Sequence, residues 1–148
     1  MRQIIYALRF TGQATPAGPD GNVLHASTSS PSTTITSRVG TDGLIGTIEG
    51  TAGDEATFTS EVTFTSETDF LETGTITFGS GNTLRFSTVG SGYLTTSVDP
   101  QRKHGTVMWR VDQGEGQFAG ASGLITSNFF VDEALGIVDH HFGVLLAP

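Results

Sequence analysis

The chain is 148 residues long, carries seven Lys or Arg against fifteen Asp or Glu for a net charge of −8, and has no cysteine. That length suits one domain with a real hydrophobic core, and the missing thiols exclude disulfides and thiolate metal sites. The acidic balance opposes binding to nucleic-acid phosphates and to anionic membranes, and no apolar run reaches the ~18 residues of a transmembrane helix.

Met1 to Phe10 is apolar but short. Arg9 interrupts it and no small-residue cleavage site follows, so it reads as a strand rather than a signal peptide, and the expected location is cytoplasmic. Residues 12–32 carry Pro16, Pro19 and Pro31, several glycines and a Ser/Thr run, the composition of a long flexible loop or lid. Thr33 to Val39 and Leu44 to Thr51 form a hairpin around Gly40-Thr41-Asp42-Gly43.

The clearest alternation runs from Ala56 to Thr65, where Ala56, Phe58, Ser60, Val62 and Phe64 share one face and threonines and Glu61 the other. Phe70 to Phe78 repeats it, with Phe70, Glu72, Gly74, Ile76 and Phe78 together. Further strands are expected at Thr83–Val89, Tyr93–Val98, Thr106–Asp112, Leu124–Val131 and Ile137–Leu146, separated by Gly, Asn and Pro turns. Asp99 to Lys103 is read as one of those turns. The Thr-x-Thr repeats within these strands fit a wet sheet face, since a solenoid needs one repeat per coil. Helix signals are nearly absent. The fold class is therefore all-β and antiparallel, a barrel or a β-sandwich in a single domain; closing the sheet into a barrel removes exposed edges.

Trp109 on a strand, then Gly114-Glu115-Gly116-Gln117-Phe118-Ala119-Gly120-Ala121-Ser122-Gly123, then a strand with Ser127-Asn128-Phe129, make a distinctive run. No long helix follows these glycines, so they do not form a phosphate-binding loop. The run resembles the C-terminal half of allene-oxide-cyclase-like barrels, a superfamily that includes allene oxide cyclases, dirigent proteins and small bacterial proteins. The resemblance spans about Gly105 to Phe130. It implies an eight-stranded barrel around an apolar cavity.

Within such a barrel, Glu72 stands out as a carboxylate on an otherwise apolar face, either paired, at a strand end, or held in a pocket with raised pKa. In Asp139-His140-His141, alternation puts Asp139 and His141 on one face and His140 on the other; the pair reads as surface or rim histidines or as one histidine facing a cavity as acid or base, and a metal site would need His25 or His104 as a third ligand. Arg85 and Arg110 lie mid-strand, as partners of Glu72 or on the wet exterior. The expected catalytic set is Glu72, His141, Arg85 and Arg110. Tyr6, Tyr93 and Trp109 are candidate cavity walls with polar tips, or plain core, and Phe86 and Asn128 complete the expected ligand-binding set. No Gly-x-Ser-x-Gly elbow occurs, and Asp54-Glu55 and Asp132-Glu133 fall in predicted loops.

The expectation is a cofactor-independent cyclase- or isomerase-like enzyme acting on an apolar or polyketide-like small molecule. The alternatives are a non-catalytic barrel for a hydrophobic ligand, or a structural homo-oligomer, dimer or trimer, whose barrel is filled by side chains.

Overall fold

A computed structural model describes all 148 residues. Eleven strands form: β1 (Arg2–Ala17), β2 (Val23–Ser30), β3 (Thr33–Gly40), β4 (Gly43–Gly50), β5 (Ala56–Phe64), β6 (Asp69–Phe78), β7 (Thr83–Thr88), β8 (Gly92–Thr96), β9 (Arg102–Glu115), β10 (Ser122–Asp132) and β11 (Gly136–Ala147). The sheet runs β10-β11-β1-β2-β5-β6-β7-β9, and β9 pairs back onto β10, which closes an antiparallel eight-stranded barrel. β7 and β8 occupy one barrel position, because both pair with β6 and with β9. No helix is long and apolar enough to cross a membrane.

Period-two alternation decides what fills the barrel. Phe10, Phe58, Phe70, Ile76, Leu84, Phe86, Val107, Trp109, Ile125 and Leu145 all point inward into one buried cluster. Several inward positions are glycines that a neighbouring ring covers. A Cβ on Gly74 would strike Phe86; on Gly92, Phe70; on Gly105, Phe129; and on Gly143, Tyr6. The aromatic residue takes the volume its neighbour lacks, a device that pins register in curved sheets. A short 3-10 turn at Gly116–Phe118 carries Phe118 into one end of the barrel against Phe78, ring centroids 5.3 Å apart.

Residues 12–32 are neither a loop nor a lid. β1 continues to Ala17 and pairs with β2 from Thr11↔Ser29 to Ala17↔Val23. Only Gly18 to Asn22 connects them, with Gly18 and Gly21 at positive φ. Apart from Leu24, the inward residues here are Ala14, Ala26, Thr28 and Ser30, too small or too polar to produce an apolar alternation. Asp99 to Lys103 is also shorter as a turn than its sequence implies, since β9 begins at Arg102. The β3–β4 hairpin forms as expected but lies outside the barrel as a separate two-stranded sheet.

Candidate functional site

The barrel is filled at the Phe118 end and hollow at the other. The hollow part is a cavity of about 710 Å³ whose mouth lies between the β8–β9 and β10–β11 turns. Phe58, Phe64, Phe70, Phe129, Leu24 and Ile137 form apolar walls. The space exists because β1 and β2 present Ala14, Ala26 and Thr28 where other strands present aromatic rings. The polar side chains deepest in it are Glu72, Asp139, Ser127 and Thr28, all buried.

Glu72, on β6, is surrounded by donors. Ser60 Oγ on β5 lies 2.6 Å from Glu72 Oε2, and Trp109 Nε1 on β9 donates to Oε1 at 3.2 Å. Burial nonetheless pushes the Glu72 pKa up to about 8; the Ser60 hydrogen bond opposes this, the negative charge of Asp139 adds to it, and the Trp109 bond opposes it. At neutral pH Glu72 therefore holds a proton.

Asp139, on β11, is arranged in the same way. Ser127 Oγ on β10 donates to Asp139 Oδ1 at 2.6 Å, and His141 Nε2 contacts Oδ2 at 2.8 Å. In both hairpins a serine precedes its carboxylate by twelve residues and reaches it diagonally across the strand pair. The two hairpins stand on opposite sides of the barrel order, so the two carboxyl groups reach the cavity from different walls. Trp109 lies between them, with its ring edge-on to His141 at 5.0 Å while its N–H serves Glu72. The His141 ring also stacks on Phe10, 4.2 Å between centroids.

Of the residues singled out in the sequence, Glu72 lines the cavity. His141 does not; it is buried behind Asp139, with Nε2 2.8 Å from that carboxylate. Trp109 and Phe86 are core beneath the cavity floor, their rings 4.5 Å apart. Tyr6 is core as well, its hydroxyl buried without a partner and its pKa raised by burial and by Asp139. The remaining candidates fall outside the barrel. Arg85 and Arg110 occupy outward, exposed positions, and Arg110 pairs with Asp112 at 3.2 Å. Tyr93 points outward and is 47% exposed. Asn128 is also outward and bonds His104 on the neighbouring strand. Each lies one residue out of phase with an inward neighbour, since a strand reverses side at every step.

Asp139, Ser127 and Thr28 went unselected. The signal was present for the first two, because Ile125-Ser127-Phe129 and Ile137-Asp139-His141 are inward phases of their strands. The mouth carries Asp99, Arg102, Lys103, Asp132 and Glu133. Arg102 pairs with Asp99 at 2.9 Å and lies 4.3 Å above the Phe130 ring. The Gln101 backbone N–H and Arg102 hold Asp99 below the usual carboxylate range. No three His, Asp or Glu side chains gather in a geometry suited to a metal ion.

The fold is similar to that of a dirigent protein. A solved structure of a pterocarpan synthase dirigent protein aligns over 99% of this chain and 89% of that chain, with a TM-score of 0.52 and 14% sequence identity. The likeness is one of fold, and it is consistent with the allene-oxide-cyclase-like barrel that the Gly114–Gly123 run resembles. No protein-family profile and no curated protein sequence matches the chain.

Proposed function

We propose that this protein is a cyclase- or isomerase-like enzyme that moves a proton on an apolar or polyketide-like molecule held in the barrel cavity. The observation that carries the proposal is Glu72, a buried carboxyl group, its pKa raised by burial, that faces an apolar cavity holding a second carboxyl group, Asp139. Two carboxyl groups in unlike environments of one site divide the roles of acid and base. Glu72 is the acid. Ser60 and Trp109 stand ready to stabilise the carboxylate left when its proton departs. Asp139, oriented by Ser127 and His141, is the base. The apolar walls exclude water and hold a flexible substrate in a reactive conformation. The dirigent neighbour is itself described as a synthase, which accords with chemistry in such a cavity.

The test is proton-shift isomerisation of a β,γ-unsaturated polycyclic ketone to its conjugated isomer, followed by ultraviolet absorbance. Glu72→Gln and Asp139→Asn are each expected to lower kcat by about a hundredfold or more, the usual worth of a general acid or base. Wild-type turnover equal to that of both variants overturns the proposal. Binding without turnover supports the second reading, a carrier for a hydrophobic ligand, which the size and apolar lining of the cavity favour.

We further propose that the protein self-associates through its outer face. Ile5, Leu124, Phe142 and Leu146 are exposed on adjacent strands β1, β11 and β10, and the β3–β4 hairpin is rooted beside them where Thr33 Oγ1 donates to the Ala7 carbonyl at 3.1 Å. A second copy of the chain is the occupant that matches both surfaces.

A further inference from the structure

The geometry points to a substrate with a basic nitrogen on an apolar body, seated with the nitrogen against Glu72. This inference rests on the small-molecule reading of the cavity and names the class of molecule it takes.

The first support is the charge of the cavity. Its titratable lining is Glu72, Asp139, Asp99, Asp132 and Glu133 against Arg102 and Lys103. Both cations are at the mouth, and Arg102 is already paired with Asp99. An anionic ligand would meet two buried carboxyl groups with no deep cation to receive it. A cationic ligand would meet the reverse.

The second support is the asymmetry between the two carboxyl groups. Asp139 has a basic side chain, His141, at 2.8 Å. Glu72 has only neutral partners, Ser60 and Trp109. An indole N–H is a donor only, and a serine hydroxyl rotates to donate. Both are arranged to serve an ionised carboxylate, yet no cation of the chain reaches it. A ligand nitrogen is the counter-charge that completes this group. The proton balance is simple: when an uncharged amine or imine docks, the Glu72 O–H bond breaks and an N–H bond forms, leaving an ion pair. When the ligand arrives already protonated, the Glu72 proton leaves to solvent instead.

The third support is independent of the acidic residues. Thr28 Oγ1 has no hydrogen-bond partner although the residue is only 5% exposed, and Thr28 lines this same cavity from β2, two strands from Glu72. A buried hydroxyl without a partner costs free energy that a ligand polar group recovers. Between these polar points the walls present Phe58, Phe64, Phe70 and Phe129, and aromatic faces attract cations in a desolvated site.

Three fluorescent probes with one body and different heads test the inference: pyrenebutylamine, pyrenebutanol and pyrenebutyrate. Binding to the full-length protein is measured by fluorescence and calorimetry at neutral pH. The amine is expected to bind about tenfold or more tighter than the alcohol, and the acid weakest. Calorimetry in buffers of different ionisation enthalpy should show release of up to about one proton as the ammonium binds, because Glu72 with a pKa of about 8 must ionise. The other titratable groups at this end of the barrel are Asp139, Asp99, Asp132, Glu133, Arg102 and Lys103; His141 lies behind Asp139, and Tyr6, toward the plugged end, is coupled to Asp139 by charge. Glu72→Gln, which keeps shape and removes charge, should abolish both the preference and the proton release. Thr28→Val, of nearly the same shape, should weaken amine binding severalfold and leave the fold intact by circular dichroism. Equal binding of amine and alcohol overturns the inference and leaves the small-molecule reading standing. So does tightest binding of the acid, or an amine preference that survives Glu72→Gln. If none of the three probes binds, the small-molecule reading fails with it.

Discussion

Glu72 receives donors at both carboxyl oxygens, and burial still lifts its pKa to about 8 from an ordinary 4.5. A folded-state pKa above the unfolded value means that the group's contribution to stability is fully present below about pH 4.5 and is lost as pH rises through about 8. Across that window the slope is at most about 1.4 kcal/mol per pH unit. His140, held below its usual range mainly by burial, contributes in the opposite sense, since its stabilisation is lost as pH falls. His140 is common to wild type and Glu72→Gln, so it cancels in their difference. Urea unfolding at about pH 5 and about pH 8 should therefore show Glu72→Gln gaining on wild type as pH rises. Parallel stabilities at the two pH values would mean that Glu72 is not protonated in the folded state. A second residue effect concerns His141. His141→Phe keeps a ring on Phe10 but takes from Asp139 its basic partner. Removing one member of a buried pair typically costs about 3–5 kcal/mol, and thermal melts should show a loss of that order.

The β3–β4 hairpin is an element without a core of its own. Its pairing Ile35↔Ile48 and Val39↔Leu44 gathers the apolar residues on one face, yet Val39 is 82% and Leu44 73% exposed. Its ends meet where Thr51 N–H donates to the Ser32 carbonyl at 2.9 Å. Deleting residues 33–50 and joining Ser32 to Thr51 should leave the barrel intact, with a Tm change below about 4 °C in dilute solution, the equivalent of about 1 kcal/mol. A larger fall would show that the hairpin supports the barrel. Strands were legible where large apolar side chains face inward. β5 and β6 alternate large apolar residues with threonines, and both are plain in the sequence. They were illegible where the inward side chains are small or polar. Ala14, Ala26, Thr28 and Ser30 make β1 and β2 resemble a loop, and the first three line the cavity. The residues that create the site are thus the ones that erase the strand signal. Glu72 was readable as a polar interruption of an apolar phase. Its partnership with Trp109 was not, because β6 and β9 are separated by β7 in the barrel.

At the scale of the whole molecule, the barrel has one open end, one plugged end and one apolar flank. The plug and the cavity account for the inside. The flank is the surface on which the proposed self-association rests. Ile5 lies opposite Val144, and Leu124 opposite the same residue, so the exposed side chains of β1, β11 and β10 form a stripe across three paired strands. Ile35 of the hairpin adjoins Ile5 and Ala7 at one edge of that stripe. A two-stranded hairpin is marginal in water unless its apolar face is covered, and at the tip Val39 and Leu44 have no cover from their own chain. Packing the hairpin of one copy along the stripe of another buries both surfaces without approaching the cavity mouth, which lies at the end of the barrel away from the hairpin root. Sedimentation velocity should therefore show a dimer or trimer. Phe142→Glu and Leu44→Glu, each placing a charge on an exposed position, should shift it to monomer with the far-ultraviolet circular dichroism unchanged. Because the mouth lies away from this surface, the monomeric variants should keep their affinity for a cavity ligand. A wild type that sediments as a monomer at every concentration would show that the flank has no self-partner. Loss of ligand affinity on dissociation would place the cavity mouth at the subunit contact.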